Sequence, residues 1–166
     1  NASDIAPALV ALGATIKTTK RAIGADDFFA VSQMKATALD ADELVTEITI
    51  PAPKAGSRQS FLKFRIRNSI DFPIVSVASV LTMAGGKVNA ASIALGAVAP
   101  LPLRAKGVES YLKGKRLDEA TAAEAGIIAI QGVRPLAQNK FKAQIVRALL
   151  RKAILVESES ADSSLE

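Results

Sequence analysis

"SFLKFRIRNSIDFPIVSVASVLTMAGGKVNAASIALGAV", residues 60–98, decides the fold. It holds three strand-like runs, Ser60 to Arg67, Ile74 to Met83 and Lys87 to Val98. Gly85-Gly86 between the second and third runs signals a tight hairpin. Asp71 and Pro73 mark the first break, because proline brings no N–H to a strand ladder. After Val98 the apolar period lengthens to that of a helix. "AKGVESYLKGK", "DEATAAEAGIIAIQG" and "NKFKAQIVRALLRKAIL" follow in order, with Asp118 and Asn139 as N-caps and Gly132 as a stop. Strands first and helices after predict an α+β domain, an antiparallel sheet of three strands packed against three helices.

Upstream of this block, "APKAGSRQ" crowds Pro, Gly and Ser together and reads as a domain boundary. Before it, "ELVTEITIP" alternates apolar and polar residues, which predicts a half-buried strand stopped by Pro51. "ATIKTTKRAI" predicts one or two strands about a tight turn, and residues 24–39 read as irregular with Phe28-Phe29 plugging a core. "SDIAPALVALG" reads as a short helix capped by Ser3 or Asp4, with Pro7 in its first turn and Gly13 at its end. Residues 156–166 are polar and acidic and read as a disordered tail.

Composition narrows the chemistry. The 166 residues include no cysteine and no histidine, which excludes disulfides, thiolate nucleophiles, imidazole bases and self-ligated zinc or iron–sulfur sites. Redox chemistry would need a bound cofactor. The formal charge of +5 suits an anionic ligand or an acidic partner. With aromatic residues at 4% and no tryptophan, stacking on nucleic acid bases is not expected, and the basic residues form no single stripe. No apolar run is long enough to span a membrane and no signal-peptide pattern opens the chain, so a cytoplasmic location is expected. A start at Asn1-Ala2-Ser3 without methionine reads as a piece of a longer polypeptide. No glycine-rich phosphate loop or nucleophile motif is present.

Five blocks taken in order carry more information than any one motif: "SDIAPALVALGA", "DELVTEITIP", "FLKFRIRNSIDFPIVSVASVL", "IALGAVAPLPLRAKGVESYLKGK" and "PLAQNKFKAQIVRALLRKAI". Together they resemble the C-terminal half of the FAD-binding medium subunit of the molybdenum hydroxylases, the family of carbon monoxide dehydrogenase and xanthine dehydrogenase. The resemblance implies that residues 3–51 are the last part of an FAD-binding α/β subdomain and residues 57–155 the subunit's C-terminal domain. It implies FAD as cofactor, and as partners an iron–sulfur small subunit and a molybdopterin large subunit, with NAD or another molecule as electron acceptor. The pyrophosphate loops of that family have no counterpart in this chain, so the chain alone is expected to bind FAD weakly or not at all and to be inactive by itself.

By the same resemblance, Asp4, Leu39, Val45 and Lys63 lie against the cofactor, and Arg67 and Asp71 belong to a loop flanking the flavin ring. Alternation would put Lys63, Arg65 and Arg67 on one strand face. Cations there favour the reduced, negatively charged flavin and an acidic neighbour opposes it. Ile70 stands where some xanthine dehydrogenases carry a second acidic residue. Plainer readings stay open: basic residues protecting an edge strand, Asp4 as a helix N-cap, and Leu39 and Val45 as ordinary core. A second function, a non-catalytic docking module that meets acidic partner surfaces, is also compatible with the charge.

Overall fold

The computed structural model describes residues 2–32, 35–68 and 70–162. Its centre is an antiparallel sheet of β4 (Ser57–Phe64), β5 (Val75–Ala84), β6 (Lys87–Gly96) and β7 (Leu103–Arg104), in that spatial order. The expected three strands are therefore joined by a fourth. At two residues, β7 is too short to show any alternation; Leu103 pairs with Leu95 and Arg104 with Ala94. The β5–β6 hairpin closes through Gly85 and Gly86 at φ of 57° and 73°. These left-handed values are what a tight hairpin turn demands and what a side chain would oppose.

Central strand β5 is apolar almost throughout because both of its faces are covered. Val75, Val77 and Leu81 point to a layer of three helices, α3 (Lys106–Leu112), α4 (Glu119–Ile128) and α5 (Phe141–Asp162), where Leu112, Leu150 and Ile154 are fully buried. Each such side chain contributes about 1.5–3 kcal/mol through burial. Asp118 caps α4 as expected, its Oδ1 accepting from the Thr121 N–H at 2.7 Å. Asn139 does not cap α5 through its side chain. The preceding turn presents its carbonyl instead, which accepts from the Lys142 N–H at 3.0 Å. Helix α5 continues to Asp162, so residues 156–162 extend it where a disordered tail was expected. Glu and Ala propagate a helix already nucleated by packing, even without an apolar stripe. Residues 163–166 lie outside the described residues.

The N-terminal part holds α1 (Ile5–Leu12), β1 (Thr15–Thr18), β2 (Ala22–Gly24), the single turn α2 (Ala25–Phe28) and β3 (Val45–Thr49), with the small sheet ordered β2-β1-β3. As read from the sequence, Gly13 ends α1 and Phe28 is buried in a core with Phe29 packed against it; the two rings meet edge to face at 5.3 Å. Helix α1 lies on the face of β5 and β6 opposite the three helices. The residues beneath it are small. Ala78 and Ala94 join Leu9, Val10, Ile16 and Phe28 in a second core, and a Cβ on Gly96 would stand 3.1 Å from Pro7 Cγ and 2.2 Å from Ser76 Oγ. Residues on either side of the Pro/Gly/Ser stretch thus share one core.

Strand β3 departs from expectation. All five of its residues are exposed, as are Leu44 and Ile50 beside it. Its alternation is real, but β3 is the edge of its sheet, and among the described residues nothing covers its apolar side.

Candidate functional site

The site forms where the connection between β4 and β5 meets the start of α1. Lys63 pairs in register with Ser76, on the α1 side of the sheet, and its Nζ donates to Asp4 Oδ2 at 2.6 Å. The lysine is largely covered, its side chain 17% exposed against 45% for Asp4. Asp4 occupies the N-cap position of α1 but makes no side-chain cap bond; Ser3 Oγ accepts from the Ala6 N–H at 3.1 Å instead. With the capping duty taken by Ser3, the Asp4 carboxylate is turned to Lys63, across 59 residues of sequence.

Strand β4 ends at Phe64, which corrects the expectation of Lys63, Arg65 and Arg67 on one strand face. The cause is Asp71. Its Oδ2 accepts from the backbone N–H and the Nε–H of Arg67, both at 3.3 Å. Its Oδ1 accepts from Arg67 Nη2 at 3.2 Å and from the Phe72 N–H at 3.0 Å. A side chain that takes two backbone donors competes with a strand ladder, and Pro73 lacks a donor altogether. Hydrogen bonds from the Arg67 guanidinium hold the Asp71 carboxyl below its ordinary range, and the carboxylate in turn raises the guanidinium.

Between α1 and this connection lies an open cleft of about 700 Å³, lined by Asp4, Lys63, Arg65, Arg67, Asp71 and Phe72 among others. Four of the six site residues expected from sequence therefore meet in one place. Leu39 and Val45 do not line it: Leu39 packs, partly buried, against the second core, and Val45 is exposed on β3 opposite Thr18. The cleft's volume is that of a small-molecule site, and exposed Ile70 and Phe72 offer apolar surface beside the charged groups. That mixture fits a planar apolar ring with polar edges, so the residues present fit the ring of a flavin. They offer no glycine-rich cradle for its pyrophosphate. Lys63 and Arg67 each already face a carboxylate, so the field they project into the cleft is partly cancelled.

Two further networks escaped the sequence reading. Glu43, 4% exposed, accepts from Thr18 Oγ1 at 2.6 Å, Arg21 Nε at 3.0 Å, Arg21 Nη2 at 3.1 Å and the Asp40 N–H at 2.9 Å. The Arg21 hydrogen bond, then Thr18, pull its pKa down to about 2, and Arg21 also donates to Ala38 O at 2.7 Å, so the pair brackets the backbone at Leu39. Arg104 bridges the N-terminal part to α3, donating to Asp26 at 3.0 Å and to both oxygens of Glu109 at 2.8 and 2.9 Å. No spacing signal could have found either, because the partners lie up to 78 residues apart.

Residues 59–156 match the model of the CO dehydrogenase flavoprotein C-terminal domain, and residues 1–53 that of the FAD binding domain in molybdopterin dehydrogenase. The chain belongs to the CO dehydrogenase flavoprotein C-terminal domain family. It is 32% identical over 157 residues to the carbon monoxide dehydrogenase medium chain of Afipia carboxidovorans, covering 89% of this chain and 54% of that one. It is 30% identical to the aldehyde oxidoreductase FAD-binding subunit of Escherichia coli, covering 95% and 48%. The solved structure of quinoline 2-oxidoreductase from Pseudomonas putida 86 superposes with a TM-score of 0.83 at 29% identity, over 96% of this chain and 57% of that chain. This chain thus spans about half the length of the curated relatives it matches. The expected α+β fold and the family are borne out.

Proposed function

We propose that the chain forms one wall of the flavin site in an FAD-carrying medium subunit of a molybdenum hydroxylase. The observation that carries this reading is the 2.6 Å pair between Asp4 and Lys63. It brings a residue of the FAD-binding segment and one of the C-terminal segment to the same cleft. In this reading residues 3–51 complete an FAD-binding subdomain and residues 57–155 form the C-terminal domain that closes over the ring. FAD, when bound, would supply the redox chemistry, carrying electrons between [2Fe–2S] clusters of a small subunit, in a complex with a molybdopterin large subunit, and NAD or another acceptor. The chain's own residues position and tune. Lys63 and Arg67 would supply positive charge to the ring, Asp4 and Asp71 would moderate it, and Phe72 and Ile70 would offer it apolar surface. Leu39 and Val45 reach the cofactor from the N-terminal side once the rest of the subunit is in place.

Flavin absorbance at about 450 nm, read after adding FAD and dialysing, tests this. The full-length subunit is expected to retain one FAD, and the present chain little or none, for want of a pyrophosphate cradle. A full-length subunit that retains no flavin would contradict the assignment.

A further inference from the structure

The end of the main sheet opposite the cleft is basic, and among the described residues its cations make no ion pair. The β5–β6 hairpin presents Lys87 there, and residues 113–116, Lys-Gly-Lys-Arg, are stitched to it by two backbone hydrogen bonds. Gly114 N–H donates to Val88 O at 2.7 Å and Val88 N–H to Lys115 O at 2.9 Å. Lys115 is fixed further by its Nζ lying 4.6 Å over the Tyr111 ring. Lys87, Lys113, Lys115 and Arg116 are all exposed, and none makes an ion pair among the described residues. Asp118 senses Lys115, but its carboxylate is engaged first by the Thr121 N–H as the cap of α4. The chain turn that begins β4 adds Lys54 at the same end.

We propose that this basic tip is the docking surface for an acidic patch on another protein chain of the same assembly. Three features favour that occupant. The cluster is mostly lysine, whose compact hydrated charge suits steering and rim contacts and not buried, bidentate pairing. A nucleic acid would call for a longer basic track with stacking rings, and the chain's one tyrosine is already covered by Lys115. Relatives are named medium chain or FAD-binding subunit, so they belong to multi-chain assemblies. The proposal rests on the multi-subunit reading above for the existence of the partner, but not on the flavin. Ten residues of β5 separate the tip from the cleft by about 30 Å, so a docked partner leaves the cleft open.

The test uses the assembled complex with its co-expressed partner chains, comparing wild type with the combined variant Lys113→Glu, Lys115→Glu, Arg116→Glu. Association of the variant is expected to be at least about tenfold slower. The wild-type rate should fall as salt shortens the screening length from about 10 Å to about 3 Å, and the variant's should barely change. Flavin content and melting temperature should match wild type. Should the variant fail to fold, the corresponding triple Gln variant, which removes charge without reversing it, is expected to show the same loss at smaller size. Unchanged association with unchanged salt dependence overturns the proposal. So does wild-type protein that carries nucleic acid which the variant sheds while its partner binding is unaltered. If the complex holds no flavin but the variant still loses its partners, the functional reading fails and the docking surface stands.

Discussion

The two ends of the main sheet use the same residue types to opposite effect. At the cleft, Lys63 and Arg67 are each matched with a carboxylate, Asp4 or Asp71, and held in place. At the hairpin, Lys87, Lys113, Lys115 and Arg116 have no such match among the described residues. Matched charge fixes geometry and leaves a local field set by the balance of each pair, which is what the proposed cofactor role would use. Unmatched charge keeps its hydration and reaches about 10 Å, as a docking surface requires. Net charge alone, which is the same +5 whichever way the cations are arranged, cannot separate these roles.

Both ends hang on one sheet, so the largest effect expected is common to both. Leu150 is fully buried between α5 and the sheet. Leu150→Ala should cost about 2–5 kcal/mol in denaturant unfolding, with cleft and tip lost in a single transition. Two separated transitions would mean that the ends are less coupled than the shared sheet implies. The triple charge reversal at the tip comes next, affecting association and sparing flavin. Removing charge at Asp71 should do the converse. Asp71→Asn loosens the 65–74 connection and should weaken flavin retention, checked by dialysis, without changing partner association.

Glu43 sharpens the comparison through pH. Its folded pKa of about 2 lies below the ordinary 4.5, so its contribution is fully present above about pH 4.5 and is lost as pH falls through about 2. Glu43→Gln should lower the melting temperature at neutral pH, and the difference from wild type should shrink steadily as the pH is taken from about 4.5 towards 2. A constant difference across that window would mean that the carboxylate's charge is not what the network uses.

How much of this was legible in the sequence follows from the range of each interaction. The hairpin at Gly85-Gly86, the Asp118 cap and the periods of β5 and α5 are local, and the residues announce them. The end of β4 was misread because Asp71 turns its side chain back on the Arg67 backbone, a competition that alternation cannot express. Strand β3 kept an apolar alternation that nothing among the described residues buries, since a pattern shows which face is apolar and not whether something covers it. The Asp4–Lys63, Arg104–Asp26 and Arg21–Glu43 pairs join residues 59, 78 and 22 positions apart and needed the fold.

The most direct measurement is the flavin midpoint potential of the full-length subunit in two variants, Lys63→Met and Asp4→Asn. Each breaks the same 2.6 Å pair, so a purely structural role would move both alike. If the pair lies at the flavin edge, Lys63→Met lowers the potential and Asp4→Asn raises it. Each shift should be about 20 mV or more, the two-electron equivalent of a charge interaction of about 1 kcal/mol. Shifts of the same sign, or none, would contradict the placement of the cofactor in this cleft.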